Sequence, residues 1–366
     1  MMQDERDSGM GVLLQILGGR QDLQTGEVSR FSETIIRLAG MHKVSYPLLK
    51  YMQDHPGDFS DDQAEKLAVR CRRNAVRSLT QLHEMIRVTG NLEKSGATVV
   101  AVKGPQLARM LYGREALKES VDLDLMLVRE AGTDRAYTRL KELGYMQSDL
   151  DQHTGRISRK IFLTAKRELD FLNPENGCRI DLHVRPGSNA YLTARFFKGF
   201  FADLETYDLE GSPVWVLPTE QYLVYLCYHG GLHQFSLLGW LLDIRTFLEV
   251  KRDKLDLEKI VRLARGIRAE RSLFLALRLL NTCFGDEIPA VLEKRIPRNW
   301  RMRFLVKHCL RMLPRESGYG FTLPGRFGKL VYTMVLIRGI AGRIDLLFGI
   351  FMRMVAGWLQ KSTPAP

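Results

Sequence analysis

Apolar side chains recur every three or four positions across residues 29–93, which is the spacing of amphipathic helices. The polar segment HPGDFSDD at 55–62 interrupts this pattern, and Ser60 or Asp61 can cap the helix that follows it. Residues 1–28 are rich in glycine and polar side chains. The sequence therefore predicts a loose N-terminal segment over 1–28 and a helical region over 29–93.

The hydrophobic period changes after residue 93. Short β-branched or alternating apolar runs predict strands at 97–102, 121–128, 166–172 and 178–184. Helical spacing lies between them at 105–112 and 133–143. The last two strands are joined by Asn-Pro-Glu-Asn-Gly, a combination typical of a hairpin turn. Residues 94–190 are thus predicted to form an α/β core.

Helical spacing returns beyond this core. After a short predicted hairpin around 211–213, helical patterns run from Thr219 and continue through 237–250 and 257–280. We assign 191–300 to a helical domain and 301–366 to a basic amphipathic C-terminal region. A central α/β unit with helical regions on both sides places the chain in the α+β class.

The net positive charge of the chain is concentrated in its C-terminal part. The net charge is +12, and residues 291–366 contain 14 basic and 3 acidic side chains, a balance of +11. Nucleic-acid surfaces more often spread basic residues through the folded domain, so no specific nucleic acid is predicted as a partner. Aromatic residues between 327 and 359 lie among these charges. They favour an interfacial helix on anionic membrane or a partner-docking helix, with ordinary packing on the domain as the alternative.

The five cysteines form neither a CxxC pair nor a metal-binding spacing, which favours a reducing compartment over a disulfide framework. Acidic residues near the N-terminus occupy the place of the basic segment of a secretory signal. No run of 18 apolar residues occurs. The predicted localisation is cytoplasmic, with the basic region available for peripheral contact at the inner face of a membrane.

Two acidic residues carry the first chemical signal. Asp122 and Asp124 lie two apart on a predicted strand, so their side chains share one face. Adjacent carboxylates repel unless a cation lies between them, and oxygen-rich sites suit Mg²⁺, which also takes substrate phosphates as ligands. The alternative is an exposed edge strand with two solvated acids. Lys103 and Gly104 end the preceding strand, where a following helix start attracts phosphate.

A later predicted strand supplies a third acid. Asp181 and His183 share a face of this strand, and Glu168 and Asp170 share a face of the strand before it. We choose Asp181 because Ile180 and Leu182 frame it more tightly, as expected for an acid at the centre of a sheet.

The ordered set of Lys-Gly, Asp-x-Asp and Asp-x-His resembles the nucleotidyltransferase superfamily that includes DNA polymerase beta. Within it the chain is similar to the uncharacterised bacterial nucleotidyltransferase family, over about residues 30–285. The matching positions are Val102-Lys103-Gly104, Leu107-Ala108, Leu111-Tyr112, Asp122-Leu123-Asp124-Leu125, Asp181-Leu182-His183 and a helical segment at 225–248. The resemblance implies a small mixed-sheet nucleotidyltransferase core flanked by N-terminal and C-terminal helical regions.

The resemblance also implies an activity, namely metal-dependent transfer of a nucleoside monophosphate from a nucleoside triphosphate, with ATP expected, to an acceptor hydroxyl. Asp122, Asp124 and Asp181 would be catalytic and hold two Mg²⁺ ions. The triphosphate would be bound by Lys103, Gly104, Lys118 and His183. Lys118 stands where the family has arginine, so a bidentate phosphate contact becomes a point-charge contact.

Several alternatives remain open at this point. The acceptor can be a sugar, a small molecule, a protein or RNA, and the chain can instead be a non-catalytic nucleotide-binding or scaffold module at a membrane-associated complex. His229 and His233 have a zinc-compatible spacing without a third ligand, which favours packing or pocket roles. Asp243 is expected to pair with Arg245 or to hydrogen-bond one of these histidines.

Overall fold

The structure, a computed structural model, describes residues 2–20, 23, 25–147, 168–184, 197, 199–314 and 323–362. Four helices form the N-terminal region: α1 (Met2–Leu17), α2 (Thr25–Met41), α3 (Ser45–Asp54) and α4 (Asp61–Lys94). Ser60 caps α4 as predicted, because its hydroxyl accepts from the Gln63 backbone while the Gln63 side chain accepts from the Ser60 backbone.

The prediction of a loose segment over 1–28 is wrong for α1. Val12 and Leu13 are fully buried, and this helix packs against α2 and against a helix from the far side of the chain. Its polar first half hides the signal, since the apolar residues that reach the core, such as Met10, Val12 and Leu13, lie in its second half. Long-range packing therefore stabilises a helix that its own composition does not indicate.

A four-stranded mixed sheet forms the centre of the molecule. The strands β1 (Val99–Lys103), β2 (Leu123–Leu127), β3 (Glu168–Leu172) and β4 (Arg179–His183) lie in the order β1-β2-β4-β3. The β2 and β4 strands run parallel, and the other two pairs are antiparallel. Two helices, α5 (Pro105–Tyr112) and α6 (Thr133–Glu142), connect the strands. The predicted α+β class with a mixed sheet is confirmed, although residues 166–167 of the third predicted strand lie outside the described residues.

Burial differs sharply between the strands. Every residue of β1 and β2 is buried, whereas β3 alternates between exposed and buried positions. A hairpin formed by β5 (Glu205–Leu209) and β6 (Ser212–Val216) packs on β1. Asp124 therefore lies on an interior strand, and Asp122 is the half-buried residue just before that strand. The alternative of two solvated acids on an exposed edge is wrong.

The remaining described chain is helical. It forms α7 (Thr219–Leu232), α8 (Leu238–Val250), α9 (Leu257–Gly266), α10 (Glu270–Phe284), α11 (Ala290–Glu293), α12 (Trp300–Met312), α13 (Leu323–Leu336) and α14 (Ile340–Ser362). The predicted helix over 257–280 is divided into α9 and α10, because Arg268 adopts a left-handed φ of 61°. Buried Tyr332 of α13 donates to the Gly231 carbonyl at 2.8 Å, which ties the C-terminal helices to α7. None of the described helices combines the length and the apolar character needed to cross a membrane.

Candidate active site

The strand register brings four chemically important residues into one row across the sheet. Lys103 pairs with Asp124, Asp124 with Asp181, and Asp181 with Asp170. The pairing of β1 with β2 shifts between Ala101 and Lys103, which is a β-bulge. Without this extra residue Val102 would lie opposite Asp124, so the bulge re-aims the lysine at the carboxylate.

Gly104 makes the sharp turn from β1 into α5 possible. Its backbone has φ 113° and ψ −150°, a conformation that is essentially restricted to glycine. A Cβ atom at this position would also lie 3.3 Å from the Met85 Cε atom. Pro105 follows as the first residue of α5, where its fixed φ and missing N–H suit a helix start. The turn thus sets the end of β1, and with it Lys103, beside β2.

Asp124 is a buried carboxylate whose two oxygens both have cationic or hydrogen-bonding partners. Lys103 Nζ lies 3.1 Å from Oδ2, and His183 Nε2 lies 3.0 Å from Oδ1. Burial raises the pKa of Asp124, but the Lys103 charge and the His183 hydrogen bond outweigh burial and hold the pKa well below its ordinary value. Asp124 is therefore ionised at neutral pH.

Lys103 has a second partner, His229 of α7, whose Nε2 atom lies 2.9 Å from the Lys103 ammonium. Burial, and then the Lys103 charge, hold the pKa of His229 well below its ordinary value, so the imidazole is neutral and accepts from the lysine. The rings of His229 and His233 stack at 4.3 Å, and both contact Trp240. These two histidines thus form one wall of the site, in keeping with the packing or pocket role expected for them.

The pKa values of Asp122 and Asp181 are raised, in contrast to the lowered pKa of Asp124. Burial and the neighbouring Asp124 raise the pKa of Asp122. Burial, followed by the charges of Asp122 and Asp124, raises the pKa of Asp181 to about 8. A hydrogen bond with Asp181 lowers the pKa of Asp122 and partly offsets its rise. The cluster thus has more negative charge than its lysines neutralise.

Lys118 lies across the cavity in a separate ion pair. Its ammonium contacts the carboxylate of Asp243, a residue of α8 that is 2% exposed and also accepts from the Tyr112 hydroxyl at 3.1 Å. The expected partners of Asp243 are therefore wrong. Arg245 instead contacts Asp286 at 2.9 Å and the Leu17 carbonyl at 2.7 Å, because the helix directs it away from Asp243.

One cleft of about 800 Å³ collects these groups. All seven residues predicted for the site line it, namely Lys103, Gly104, Lys118, Asp122, Asp124, Asp181 and His183. Of the two rival acids, Glu168 also lines the cleft, whereas Asp170 is exposed on the edge strand β3 and does not. Asp181 lies on the interior strand β4, as its apolar frame predicts.

Sequence reasoning missed Lys43, which lines the cleft from the turn between α2 and α3. Burial lowers the pKa of this lysine, and the charge of Asp122 partly offsets the effect. A single lysine between two helices has no signal in the sequence, since only the folding of the N-terminal region onto the sheet brings it to the carboxylates.

A larger open groove of about 1160 Å³ runs along α12, lined by basic side chains such as Arg303, Lys307 and Arg311. It contains none of the sheet carboxylates and no residue of β1, β2 or β4. Size alone would favour this groove. The buried acids with displaced pKa values make the smaller cleft the candidate active site.

The donor set of the smaller cleft fits a hard divalent cation in type and in charge. Asp122, Asp124 and Asp181 supply carboxylate oxygens to it, and burial followed by neighbouring carboxylates raises the pKa of Asp122 and of Asp181. Within the described residues, no three His, Cys, Asp or Glu side chains converge on a ready-made metal position. Asp124 explains this arrangement, because Lys103 and His183 occupy both of its oxygens.

A comparison with known protein families supports the interpretation of this cleft. The family model described as uncharacterised nucleotidyltransferase matches residues 31–285. The protein belongs to this family, and it is a nucleotidyltransferase in the sense that the family's description gives. Comparisons with curated proteins and with solved structures find no match.

Proposed function

We propose that the protein transfers a nucleoside monophosphate from a nucleoside triphosphate, with ATP as the first candidate, to an acceptor hydroxyl. The acceptor oxygen forms a bond to the α-phosphorus, the bond from that phosphorus to the bridging oxygen breaks, and pyrophosphate leaves. The observation that carries this proposal is the row of Asp124 and Asp181 on adjacent parallel strands, with Asp122 beside them in a nucleotidyltransferase-family cleft.

Asp122, Asp124 and Asp181 are the residues that would hold Mg²⁺, for which two ions are expected. Bound Mg²⁺ would neutralise the triphosphate and stabilise charge on the attacking and leaving oxygens. Lys103 and His183 keep Asp124 ionised. Bound Mg²⁺ would also favour the ionised form of Asp181, which would then accept the proton of the acceptor hydroxyl at a carboxylate oxygen. The wider relationship to DNA polymerase beta belongs to this proposal as well.

The phosphate-binding roles expected for Lys103, Gly104, Lys118 and His183 also remain proposals. Both lysines line the cleft, but their ammonium groups are already paired, with Asp124 and Asp243 respectively. Their support for a polyphosphate is therefore a shared positive field, and a direct contact requires exchange of the paired acid. Gly104 contributes backbone close to α5, without a side chain to obstruct the approach.

The test is metal-dependent turnover of an α-labelled triphosphate. Wild-type protein is incubated with Mg²⁺ and each of the four common triphosphates, and release of pyrophosphate is followed together with labelled products. Asp122→Asn, which keeps the shape and removes one ligand charge, should lose Mg²⁺-dependent triphosphate binding. Tight binding with no turnover under any acceptor tested would favour the non-catalytic nucleotide-binding module instead.

A separate observation favours contact with an anionic membrane surface. The helix α14 exposes an apolar stripe at helical spacing, made of Ile340, Ile344, Leu347, Phe348, Phe351 and Met354. Phe327 of α13 is also 69% exposed, and the surrounding region accounts for most of the chain's net positive charge. An exposed apolar stripe within a basic region is the arrangement of an interfacial helix. We propose that this stripe enters the headgroup layer of anionic lipid.

A further inference from the structure

The turn that carries Lys43 has a strained backbone. Lys43 has a φ of 57°, in the left-handed region that a residue with a long side chain rarely adopts. It follows α2 and lies just before α3, so the turn directs the lysine towards the cleft. A strained residue at the wall of a reactive cleft motivates a functional hypothesis, because the surrounding fold must maintain it.

Three hydrogen bonds hold this turn in place through the neighbouring His42. His42 Nε2 donates to the Leu313 carbonyl at 2.8 Å, and His42 Nδ1 accepts from the Leu238 N–H at 3.3 Å. The Gly239 N–H donates to the His42 carbonyl at 3.0 Å. A Cβ atom at Gly239 would lie 3.1 Å from that carbonyl oxygen and 3.2 Å from that of Lys43, so the start of α8 fits closely against the turn.

The side chain of Lys43 also differs from those of Lys103 and Lys118 in charge pairing. Lys103 and Lys118 have carboxylate partners, whereas no carboxylate of the described residues lies within ion-pair distance of Lys43. Lys43 is partly buried and faces Asp122 and Asp124 at longer range, together with the like charges of Lys103 and Lys118. A partly buried, unpaired ammonium among like charges is costly until an anion reaches it.

These observations identify an anion and its position. Lys43 interacts electrostatically with the same carboxylates that would hold the metal. An anion that binds Lys43 would therefore lie beside Asp122. A neutral acceptor hydroxyl gains less from this charge than a polyphosphate, which gains a charge-assisted hydrogen bond between opposite charges. The inference rests on the proposed function, which supplies the triphosphate.

We propose that Lys43 binds the phosphate groups of the nucleoside triphosphate from the part of the cleft wall formed by the turn between α2 and α3. The N-terminal helical region thereby completes a phosphate site that the sheet alone leaves unfinished. Lys43 is a substrate-binding residue in this view, and His42 is the positioning residue that holds its turn.

The experiment compares Lys43→Met with Lys50→Met, an exposed lysine of the same cleft that lies one helix further along. Binding of Mg²⁺-ATP, Mg²⁺-AMP and Mg²⁺-pyrophosphate is measured by equilibrium dialysis. Loss of one charge-assisted hydrogen bond should weaken triphosphate and pyrophosphate binding roughly 10- to 100-fold. AMP binding should change less. Lys50→Met should alter triphosphate binding by about two-fold or less, because the exposed Lys50 charge is screened by solvent. Lys43→Arg should restore part of the affinity, because arginine keeps the positive charge.

A second variant separates binding from structure. Lys43→Gly removes the side chain but accepts the left-handed backbone, so it should melt at the wild-type temperature or above while losing the same affinity. If Lys43→Met and Lys43→Gly bind triphosphate as tightly as wild type while Asp122→Asn does not, Lys43 is no phosphate ligand and the proposed function stands. If wild-type protein binds no Mg²⁺-triphosphate at all, the proposed function itself is wrong, and the Lys43 assignment falls with it.

Discussion

Asp122 and Asp124 are separated by one residue, yet their surroundings give them opposite affinities for a proton. Burial and Asp124 raise the pKa of Asp122, whereas Lys103 and His183 hold the pKa of Asp124 far down. Removing the charge of Asp122 should therefore relieve repulsion between the carboxylates. Removing the charge of Asp124 should leave the Lys103 ammonium without its carboxylate partner.

We expect Asp122→Asn and Asp124→Asn to differ in stability before any ligand is added. Asp124→Asn should lower the free energy of unfolding by about 3 kcal/mol, the usual scale for breaking a buried ion pair. Asp122→Asn should leave it unchanged or raise it by up to about 1 kcal/mol. Denaturant unfolding at pH 7.5 without divalent ions measures both. Equal losses in the two variants would contradict the assigned charge states.

The acid that activates the acceptor should act mainly in the transition state. Asp181→Asn is expected to bind Mg²⁺-triphosphate within a few-fold of wild type while losing roughly 10²-fold or more in transfer rate. Asp170→Asn is the matched control, since Asp170 pairs with Asp181 in register but lies exposed outside the cleft. Single-turnover rates with labelled triphosphate decide between them. A silent Asp181→Asn with an inactive Asp170→Asn would move the third carboxylate to β3.

At the residue scale the sequence was a good guide where chemistry repeats along a strand. Asp122, Asp124 and Asp181 are recognisable because alternation places them on one sheet face. Lys103 is aimed at Asp124 by a bulge that no local pattern announces. Lys43 and the Lys118–Asp243 pair arise from contacts between distant segments, and a sequence does not encode such distances locally.

At the scale of elements, α14 offers the clearest test of a surface. Replacing Ile344 and Phe351 by serine keeps the length of the helix and interrupts its exposed apolar stripe. We expect wild-type protein to sediment with vesicles containing anionic lipid at low salt, and the double variant to remain in solution. The basic residues should make sedimentation salt-sensitive, at roughly 1 kcal/mol for each charge near the surface.

Vesicles of neutral lipid serve as the control for that experiment, and the double variant should keep the transfer rate of wild type. Dimerisation through the stripe, seen as a halved mass for the double variant in light scattering without vesicle binding, would assign the surface to a second copy of the chain. The membrane proposal would then be withdrawn.

The spacing of hydrophobic residues predicted most helices and strands, and the incorrect predictions have identifiable physical origins. The strands and α5 are bounded by glycine, proline and turn residues, which act locally and are visible in the sequence. The helix α1 depends on burial against distant helices, and the break between α9 and α10 depends on one left-handed residue, Arg268. At α1, tertiary contacts overrode local propensity.

At the scale of the whole molecule, His42 joins three parts of the chain and should make its stability sensitive to acid. Burial lowers the pKa of His42 to about 4, against the hydrogen bond to the Leu313 carbonyl, which raises it. The ring is neutral because Nε2 donates and Nδ1 accepts, so protonation at Nδ1 would oppose the Leu238 N–H.

A histidine whose pKa is lowered on folding stabilises the protein above about pH 6.5, and this contribution is lost as the pH falls towards 4. The contribution is at most about 3 kcal/mol, from 1.36 kcal/mol per unit of pKa. The difference in melting temperature between wild type and His42→Gln should therefore be largest at pH 7.5 and shrink by pH 4.5. A difference that is independent of pH would show that His42 is not titrating in this range.

The contacts of His42 also show that the cleft includes segments outside the range matched by the family. The family match covers residues 31–285, yet the Leu313 carbonyl anchors the turn of Lys43, the Leu17 carbonyl anchors Arg245, and Lys329 lines the cleft. The carboxylates that would carry out transfer lie inside the matched range, whereas part of the wall around them is built from segments outside it. Substitutions in those outer segments can therefore alter which molecules enter the cleft without changing the carboxylates.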